Sequence, residues 1–320
     1  MIPIMNEEES IEKLTEQIDT VCAENNIDRQ IIYVDDGSTD DSWNVIQKIV
    51  GQSDNTQAIK FRRNFGKAAA LSAGFQQATG ELVITMDADL QDDPQEIPRF
   101  LEKIDSGLDV VSGWKKVRHD PWHKVLPSRV FNGLVSWLTG VKLHDHNCGF
   151  KCYRRGIFDE IELYGERHRF VPVLAAANGW RVGEIEVTHR PREFGVSKYG
   201  VERLVKGFLD LISIYFLTSF GKRPLHIAGA FGLICLGLGG FGLVYLTFQW
   251  IYTRMNDVLA DNVHLSERAL FYYCILAILL GTQLLLSGLL AELVVSNSRP
   301  SSPFSISEQL KNSDFESGNE

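Results

Sequence analysis

Two carboxylates sit two residues apart at the end of an apolar run. Leu82-Val83-Ile84-Thr85-Met86 leads directly into Asp87-Ala88-Asp89-Leu90-Gln91. The length and β-branched content of the run predict a buried strand. In extended backbone alternate side chains share a side, so Asp87 and Asp89 point the same way. Crowded carboxylates repel unless a cation lies between them. Oxygen ligands of this kind suit Mg²⁺ or Mn²⁺, which keep water and take up substrate phosphate oxygens. In an open α/β sheet, ligands bind outside the carboxyl ends of the strands, where these aspartates fall. Asp92 and Asp93, just ahead of Pro94, are assigned instead to the first turn of a following helix, where acids and proline belong.

A second acidic pair closes another apolar strand, Ile31-Ile32-Tyr33-Val34-Asp35-Asp36. Gly37 supplies the turn, and Thr39 or Asp40 caps a helix carrying Trp43, Ile46 and Ile49. That local reading does not account for two aspartates ending an apolar strand. Carboxylates there can hydrogen-bond a base or ribose. Cationic chemistry is concentrated in one segment containing Lys115, Lys116, Arg118, His119, His123, Lys124 and Arg129. Lys116 and the histidines fit a solvated loop. The segment as a whole fits an anion site, such as a phosphate at a membrane surface.

The elements that must hold these groups alternate. Met1 to Met5 looks like the last turn of a strand, since a central strand usually runs to about five residues. Asn6, with Glu9 three residues on, is expected to cap a helix whose inner face is Ile11, Leu14, Ile18, Val21 and Cys22. Ala58–Phe61 is a third strand, followed by a helix from about Ala68 to Gln77. Ile97, Leu101 and Ile104 mark a helix after the Asp87 strand, and Asp109–Gly113 is a fifth strand. Val130, Leu134, Val135 and Leu138 predict another helix, and Val182–Val187 alternates like an edge strand. This β-α alternation predicts an α/β domain with a Rossmann-like, mostly parallel sheet. No G-x-G-x-x-G follows the first strand, which disfavours a dinucleotide-binding fold.

The chain has 320 residues and a formal net charge of -9, which disfavours a nucleic-acid partner. Its five cysteines are odd in number and scattered. With no secretory signal pattern ahead of the first strand, they are expected as reduced thiols facing a cytosol. Cys148 and Cys152 have no second pair to complete a zinc site. From residue 201 to 223 an amphipathic segment has Leu204, Phe208, Leu211, Ile212 and Tyr215 on one face, as in a helix lying in a membrane interface. Residues 227–250 and 269–291 are each long and apolar enough to span a bilayer, which takes about 20 residues. Lys222, Arg223 and Arg299 flank this hairpin and place both termini in the cytosol. The expected organisation is a catalytic domain over 1–200, interfacial helices over 201–223, a two-span hairpin over 224–295 and a disordered polar tail over 296–320.

The motifs together resemble those of a known family. They are Ile2-Pro3-x-x-Asn6-Glu7, Val34-Asp35-Asp36-Gly37-Ser38, Arg63-Asn64-Phe65-Gly66-Lys67, Asp87-Ala88-Asp89-Leu90-Gln91, Cys148-Gly149-Phe150 and Arg192-Glu193-Phe194-Gly195-x-Ser197-Lys198-Tyr199. Each is weak alone, but in this order they are specific. The chain resembles a family 2 glycosyltransferase of GT-A fold and polyprenyl-phosphate type, like dolichol-phosphate mannosyltransferase and the bacterial undecaprenyl-phosphate enzymes. The resemblance runs from about Ile2 to Val295. The loops around Arg167–Val173 and Arg192–Tyr199 are closest to the bacterial group, which includes aminoarabinose transferases.

The resemblance implies roles. Asp87, Asp89 and Gln91 would hold the Mg²⁺ or Mn²⁺ and the donor diphosphate. Pro3, Asn6, Glu7, Asp35, Asp36, Asn64 and Lys67 would belong to the donor site, with Pro3, Glu7 and Asp35 lining base and ribose. Arg192, Ser197 and Lys198 would close over the donor. Lys115, Arg118, Ser128 and Arg129 would receive the lipid phosphate. Two departures stand out. Met5 occupies a position where the family often has an aromatic residue, and Lys115 gives a point charge where an arginine fork is frequent. The implied activity is sugar transfer from a nucleotide-diphosphate sugar to a polyprenyl phosphate, with inversion, by a membrane-bound homo-oligomer. A processive polysaccharide synthase is the rival enzyme, but its Gln-x-x-Arg-Trp motif is absent. A non-catalytic membrane adaptor and a flippase are the rivals of other kinds.

Overall fold

The computed structural model describes residues 1–116, 122–161, 167–190, 209–211, 215, 224–255 and 268–297; the side chains of 122–126, 167, 224 and 295–297 are excepted. The chain divides into two compact units, Met1–Thr218 and Ser219–Ser301.

In the first unit, β1 (Ile2–Ile4), β2 (Ile31–Asp35) and β3 (Thr56–Lys60) pair in parallel, with β2 in the middle. A second set runs β4 (Leu82–Thr85), β6 (Lys151–Arg154), β5 (Val110–Trp114), β7 (Val182–Glu186). Two backbone hydrogen bonds connect the sets: Met86 N donates to Met1 O at 3.2 Å, and the Met1 amino group donates to Ile84 O at 2.8 Å. The strands therefore follow the order 3-2-1-4-6-5-7.

One strand departs from the expected alternation. β6 runs antiparallel to both β4 and β5, with Lys151 opposite Thr85 and Ser112. It has four residues, opens on a lysine and shows no alternation, so periodicity gave no signal for it. β7 is an edge strand, parallel to β5.

Alternate residues of β2 serve opposite faces, as the pleat requires. Ile31 and Tyr33 pack with α1 (Ile11–Glu24), α2 (Ser42–Val50) and α4 (Ile97–Asp105) through Leu14, Ile46 and Phe100. Ile32 and Val34 pack with Ala70, Leu71 and Phe75 of α3 (Lys67–Gln77). Further along the sheet, Val110 and Tyr153 meet Ile157 of α6 (Ile157–Glu160) and Val171 and Ala175 of α7 (Val171–Ala177). Both faces of the central strands are thus covered, and their polar ends emerge at the carboxyl edge.

Two local expectations, both about helix caps, are corrected, and the helix expected from Val130 to Leu138 is found. α1 begins at Ile11, and Asn6 is not its cap. Asn6 takes a left-handed φ of 57° and spends its side chain on Thr39 N. α2 has Asp41 at its N-cap position without a side-chain bond, while Asp40 accepts from Ser42 N at 3.1 Å. The basic segment feeds α5 (Trp122–Thr139), in which Val135 is buried against Phe170, Val173 and Leu211 but Val130 is 65% exposed. Of the amphipathic stretch at 201–223, only 209–211 and 215 are described. Leu211 belongs to that core, whereas Leu209 is exposed.

The second unit is a pair of helices, α8 (Pro224–Met255) and α9 (Ala269–Asn297). Leu225–Met255 and Ala269–Val294 are long and apolar enough to cross a membrane. They approach through glycine: a Cβ on Gly232 would lie 2.8 Å from Gly281 O, and one on Gly281 2.7 Å from Gly232 O. Small residues are what close helix contact in a bilayer demands. Glu292 of α9 accepts a hydrogen bond from Leu225 N at the start of α8, where a carboxylate meets the positive end of the helix dipole.

Candidate active site

The site grows from the ends of β2 and β4. At the end of β2, Asp35 is wholly buried; its Oδ1 accepts from Ser38 N at 2.8 Å, and its Oδ2 has no hydrogen-bond partner among the described residues. A buried carboxylate oxygen without a donor is costly in the protein alone, which makes Asp35 a candidate to accept from a ligand. Asp36 does different work. Its two oxygens accept from Phe65 N at 2.7 Å and Gly66 N at 2.9 Å, which pins the Asn64–Lys67 turn to the end of β2. Gly37 permits this: at φ 77° its missing Cβ would meet the Arg63 carbonyl carbon at 2.6 Å. Asn6 holds the other side of the turn. Its N–H donates to Ser38 Oγ at 3.0 Å, and its Oδ1 accepts from Thr39 N at 2.8 Å. Glu7 N donates to Ser42 Oγ at 2.9 Å. Pro3 pairs in register with Val34 beside this turn, and Asn64 is exposed.

At the end of β4 the chain turns sharply. Leu90, buried between Asp89 and Gln91, adopts a left-handed φ of 59°, a strained conformation for a branched residue. Asp89 Oδ1 accepts from Gln91 N at 3.2 Å, which curls the turn around that carboxylate. Asp87 is a third exposed, yet it is wedged between two elements. On one side its Oδ1 accepts a short hydrogen bond from Lys67 Nζ. On the other it lies against Gly149, where a Cβ would come within 2.6 Å of Oδ2. This contact accounts for the glycine of Cys148-Gly149-Phe150, and Thr85 Oγ1 fixes it by donating to Gly149 O at 2.7 Å. Burial works to raise the Asp87 carboxyl, but Lys67 first, then Lys115 and His168, outweigh it and hold the group down at about 2.

Asp92 corrects the helix-cap expectation. Asp93 does cap the short turn Pro94–Glu96, accepting from Gln95 N. Asp92 is instead fully buried and paired with Lys115 Nζ at 2.7 Å. Its other oxygen makes a long contact, 3.5 Å, with Asp87 N. Lys115, expected to receive a phosphate, is only 14% exposed and lies in this internal pair. Burial would lower its pKa, but Asp92, then Cys148 and Asp87, raise it above the ordinary lysine range. The same turn is tied to the chain ahead of residue 191. Arg190 N donates to Gln91 O at 2.9 Å, and its guanidinium pairs with Asp93 at 2.6 Å.

A third lysine was not foreseen. Lys151 is buried, and its Nζ donates to Cys148 O at 2.5 Å and His146 O at 3.1 Å. Burial lowers its pKa to about 8. Burial also pushes the Cys148 thiol up to about 12, and all five cysteines are free thiols. Ser128 and Arg129 lie on α5, half-buried and exposed respectively. Arg118, Arg192, Ser197 and Lys198 fall outside the described residues.

The donor set fits a hard divalent cation: two carboxylates and an amide oxygen on one turn, with space kept beside Asp87 by a glycine. Among the described residues no group of three or more His, Cys, Asp or Glu forms a cage. The protein offers a carboxylate pair, the regime in which Mg²⁺ or Mn²⁺ completes its shell with water and substrate phosphate.

Comparison with known proteins gives the family and the fold. Residues 1–162 match the family described as glycosyl transferase family 2. The chain is 37% identical over 299 residues to a dodecaprenyl-phosphate galacturonate synthase of Rhizobium johnstonii, covering 92% of this chain and 86% of the relative. It is 34% identical over 296 residues to an undecaprenyl-phosphate 4-deoxy-4-formamido-L-arabinose transferase of Klebsiella pneumoniae, with the same coverage of 92% and 86%. The fold is shared with glucosyl-3-phosphoglycerate synthase of Mycobacterium tuberculosis, solved with Mn²⁺, uridine diphosphate and phosphoglyceric acid. That likeness has a TM-score of 0.52 at 16% identity, over 68% of this chain and 76% of the other.

Proposed function

This chain belongs to glycosyl transferase family 2, and on that premise we propose that it transfers a sugar from a nucleotide-diphosphate sugar to a polyprenyl phosphate, inverting the anomeric carbon. The observation that carries the reading is the turn Asp87-Ala88-Asp89-Leu90-Gln91, strained, glycine-backed and set at the end of a buried strand. Asp87, Asp89 and Gln91 would hold Mg²⁺ or Mn²⁺; when bound, that ion offsets charge on the leaving diphosphate. Asp35 offers a buried carboxylate oxygen to the nucleoside, and Asn6 and Asp36 keep the turns beside it in place. Pro3, Glu7 and Asn64 line the donor side. By the family resemblance Arg192, Ser197 and Lys198 are assigned to the donor and Arg118, Ser128 and Arg129 to the acceptor phosphate, while Lys115, paired with Asp92, supports the turn from inside.

A phosphate acceptor explains why no side chain is needed as a base. Its second pKa is about 6, so at neutral pH it is already largely a dianionic nucleophile. A sugar hydroxyl would need a proton removed. The paired helices Leu225–Met255 and Ala269–Val294 anchor the enzyme in the membrane that holds the lipid, with catalytic unit and both termini cytosolic and several copies associated.

The test is formation of a lipid-linked sugar by the full-length protein in detergent. Undecaprenyl phosphate is offered with a panel of labelled UDP- and GDP-sugars, headed by galacturonate and 4-substituted arabinose donors after the relatives, with and without EDTA. A labelled, mild-acid-labile lipid made from one donor, lost with EDTA and lost in Asp89→Asn, supports the reading. Full activity in Asp89→Asn defeats the metal assignment, and nucleotide binding without product from any donor defeats the enzymatic one.

A further inference from the structure

Two carboxylates and three lysine ammonium groups neighbour one another at the carboxyl edge: Asp87 and Asp92, with Lys67, Lys115 and Lys151. Lys115 is committed to Asp92 and Lys151 to two backbone carbonyls. Lys67 alone of the three sits directly on a carboxylate of the proposed metal turn. Its position is built. Asp36 fixes the amides of Phe65 and Gly66, Gly66 turns at φ 93°, and Lys67 then begins α3 beneath Asp87. Gly149 presses on the other side of the carboxylate, so Asp87 has little freedom to turn away.

We propose that the Lys67 ammonium is a placeholder for the divalent cation on Asp87, and that it withdraws onto the donor diphosphate when cation and donor enter together. This rests on the metal reading of Asp87 and Asp89. A cation ligated at about 2.1 Å and an ammonium at hydrogen-bond distance from the same oxygen stand a few ångströms apart and repel. Lys67 is the group able to leave. Its side chain is 30% exposed and ends a flexible four-carbon stem. An arriving diphosphate offers the ammonium anionic oxygens in exchange for Asp87. The consequence is order: the cation binds weakly to the protein alone and tightly with a nucleotide diphosphate.

The experiment is Mn²⁺ binding, read from the free-ion electron paramagnetic resonance signal, on the full-length protein in detergent, with and without UDP. Lys67→Met is expected to bind Mn²⁺ alone roughly tenfold tighter than the parent, within the usual range of coupling between two ligands. Its gain from UDP should shrink. Lys67→Gln, which keeps a polar side chain, should behave the same way and covers the case in which Lys67→Met folds poorly. A merely structural lysine would give the opposite sign, since loosening the turn weakens metal binding. Equal Mn²⁺ affinity in parent and both variants overturns the placeholder while leaving the metal site standing. Absence of Mn²⁺ binding in all of them, or undiminished binding in Asp87→Asn, overturns the metal reading and the placeholder with it.

Discussion

Asp92→Asn isolates what the buried pair with Lys115 contributes. The carboxylate side chain is fully buried, Lys115 is 14% exposed and the contact is 2.7 Å. The amide keeps the shape of Asp92 and removes its charge, leaving an ammonium in the interior without its partner. Breaking a buried pair in this way costs about 3–5 kcal/mol. Asp87 still attracts Lys115, so the lower end, about 3 kcal/mol, is expected. In a unit the size of Met1–Thr218 that corresponds to a fall of about 6–12 °C in melting temperature. The assay is thermal unfolding of the full-length protein in detergent at neutral pH, followed by near-ultraviolet circular dichroism. The decisive partner is Asp92→Asn/Lys115→Met. Replacing a whole buried pair with apolar groups is often neutral, so the double variant should regain at least half of the loss. If Asp92 served as a helix cap, the single change would cost little, since Asn caps about as well as Asp, and Lys115→Met would rescue nothing. A drop of less than about 4 °C in Asp92→Asn, or a double variant no more stable than the single one, refutes the pairing argument.

Two further outcomes follow from the same geometry. Gly149→Ala places a methyl group 2.6 Å from Asp87 Oδ2, so the carboxylate must shift; kcat/KM for the donor should fall by about 100-fold with only a modest loss of melting temperature, and unaltered kinetics would show that Asp87 is not held there. His146 is wholly buried with Nε2 3.1 Å from Ser136 Oγ, and burial first, then Lys151, lowers its pKa from 6.5 to about 4. Between those values the unfolded chain takes up a proton that the folded one refuses, so stability falls as pH drops through this window, by up to about 3 kcal/mol. His146→Gln cannot titrate and should flatten melting temperature against pH there; an unchanged slope would place the acid sensitivity elsewhere.

What could be read ahead of the structure divides along a physical line. Apolar periodicity reports which side of an element is buried, and it located α1 to α5 and the strands that lead into Asp35 and Asp87, but not the short α6 and α7. Acids at the end of an apolar strand stood out as a candidate site because no local sequence rule called for them, although Asp35 and Asp89 also hold their own turns. Asp92 was misread for the converse reason. An acid ahead of Pro94 satisfies a local capping rule, whereas its partner Lys115 comes from beyond the next strand, and pairing across the fold leaves no trace in spacing. Asn6 was misread similarly: its bonds go to Ser38 and Thr39, not to the helix that follows it.

The missed strand and the missed lysine are one error. A parallel strand brings its carboxyl end to the edge where ligands gather, so the first residue of such a strand lies at the far edge. β6 is antiparallel, and its first residue therefore lies at the near one. Lys151 stands opposite Thr85 and Ser112, two residues before Asp87 on one neighbour and three before Lys115 on the other. A chain read as uniformly parallel would put that lysine on the opposite side of the sheet, away from every carboxylate of the site. Strand direction, which hydrophobic pattern does not encode, is thus what brings a third lysine to the edge where Lys67 meets Asp87 and Lys115 meets Asp92.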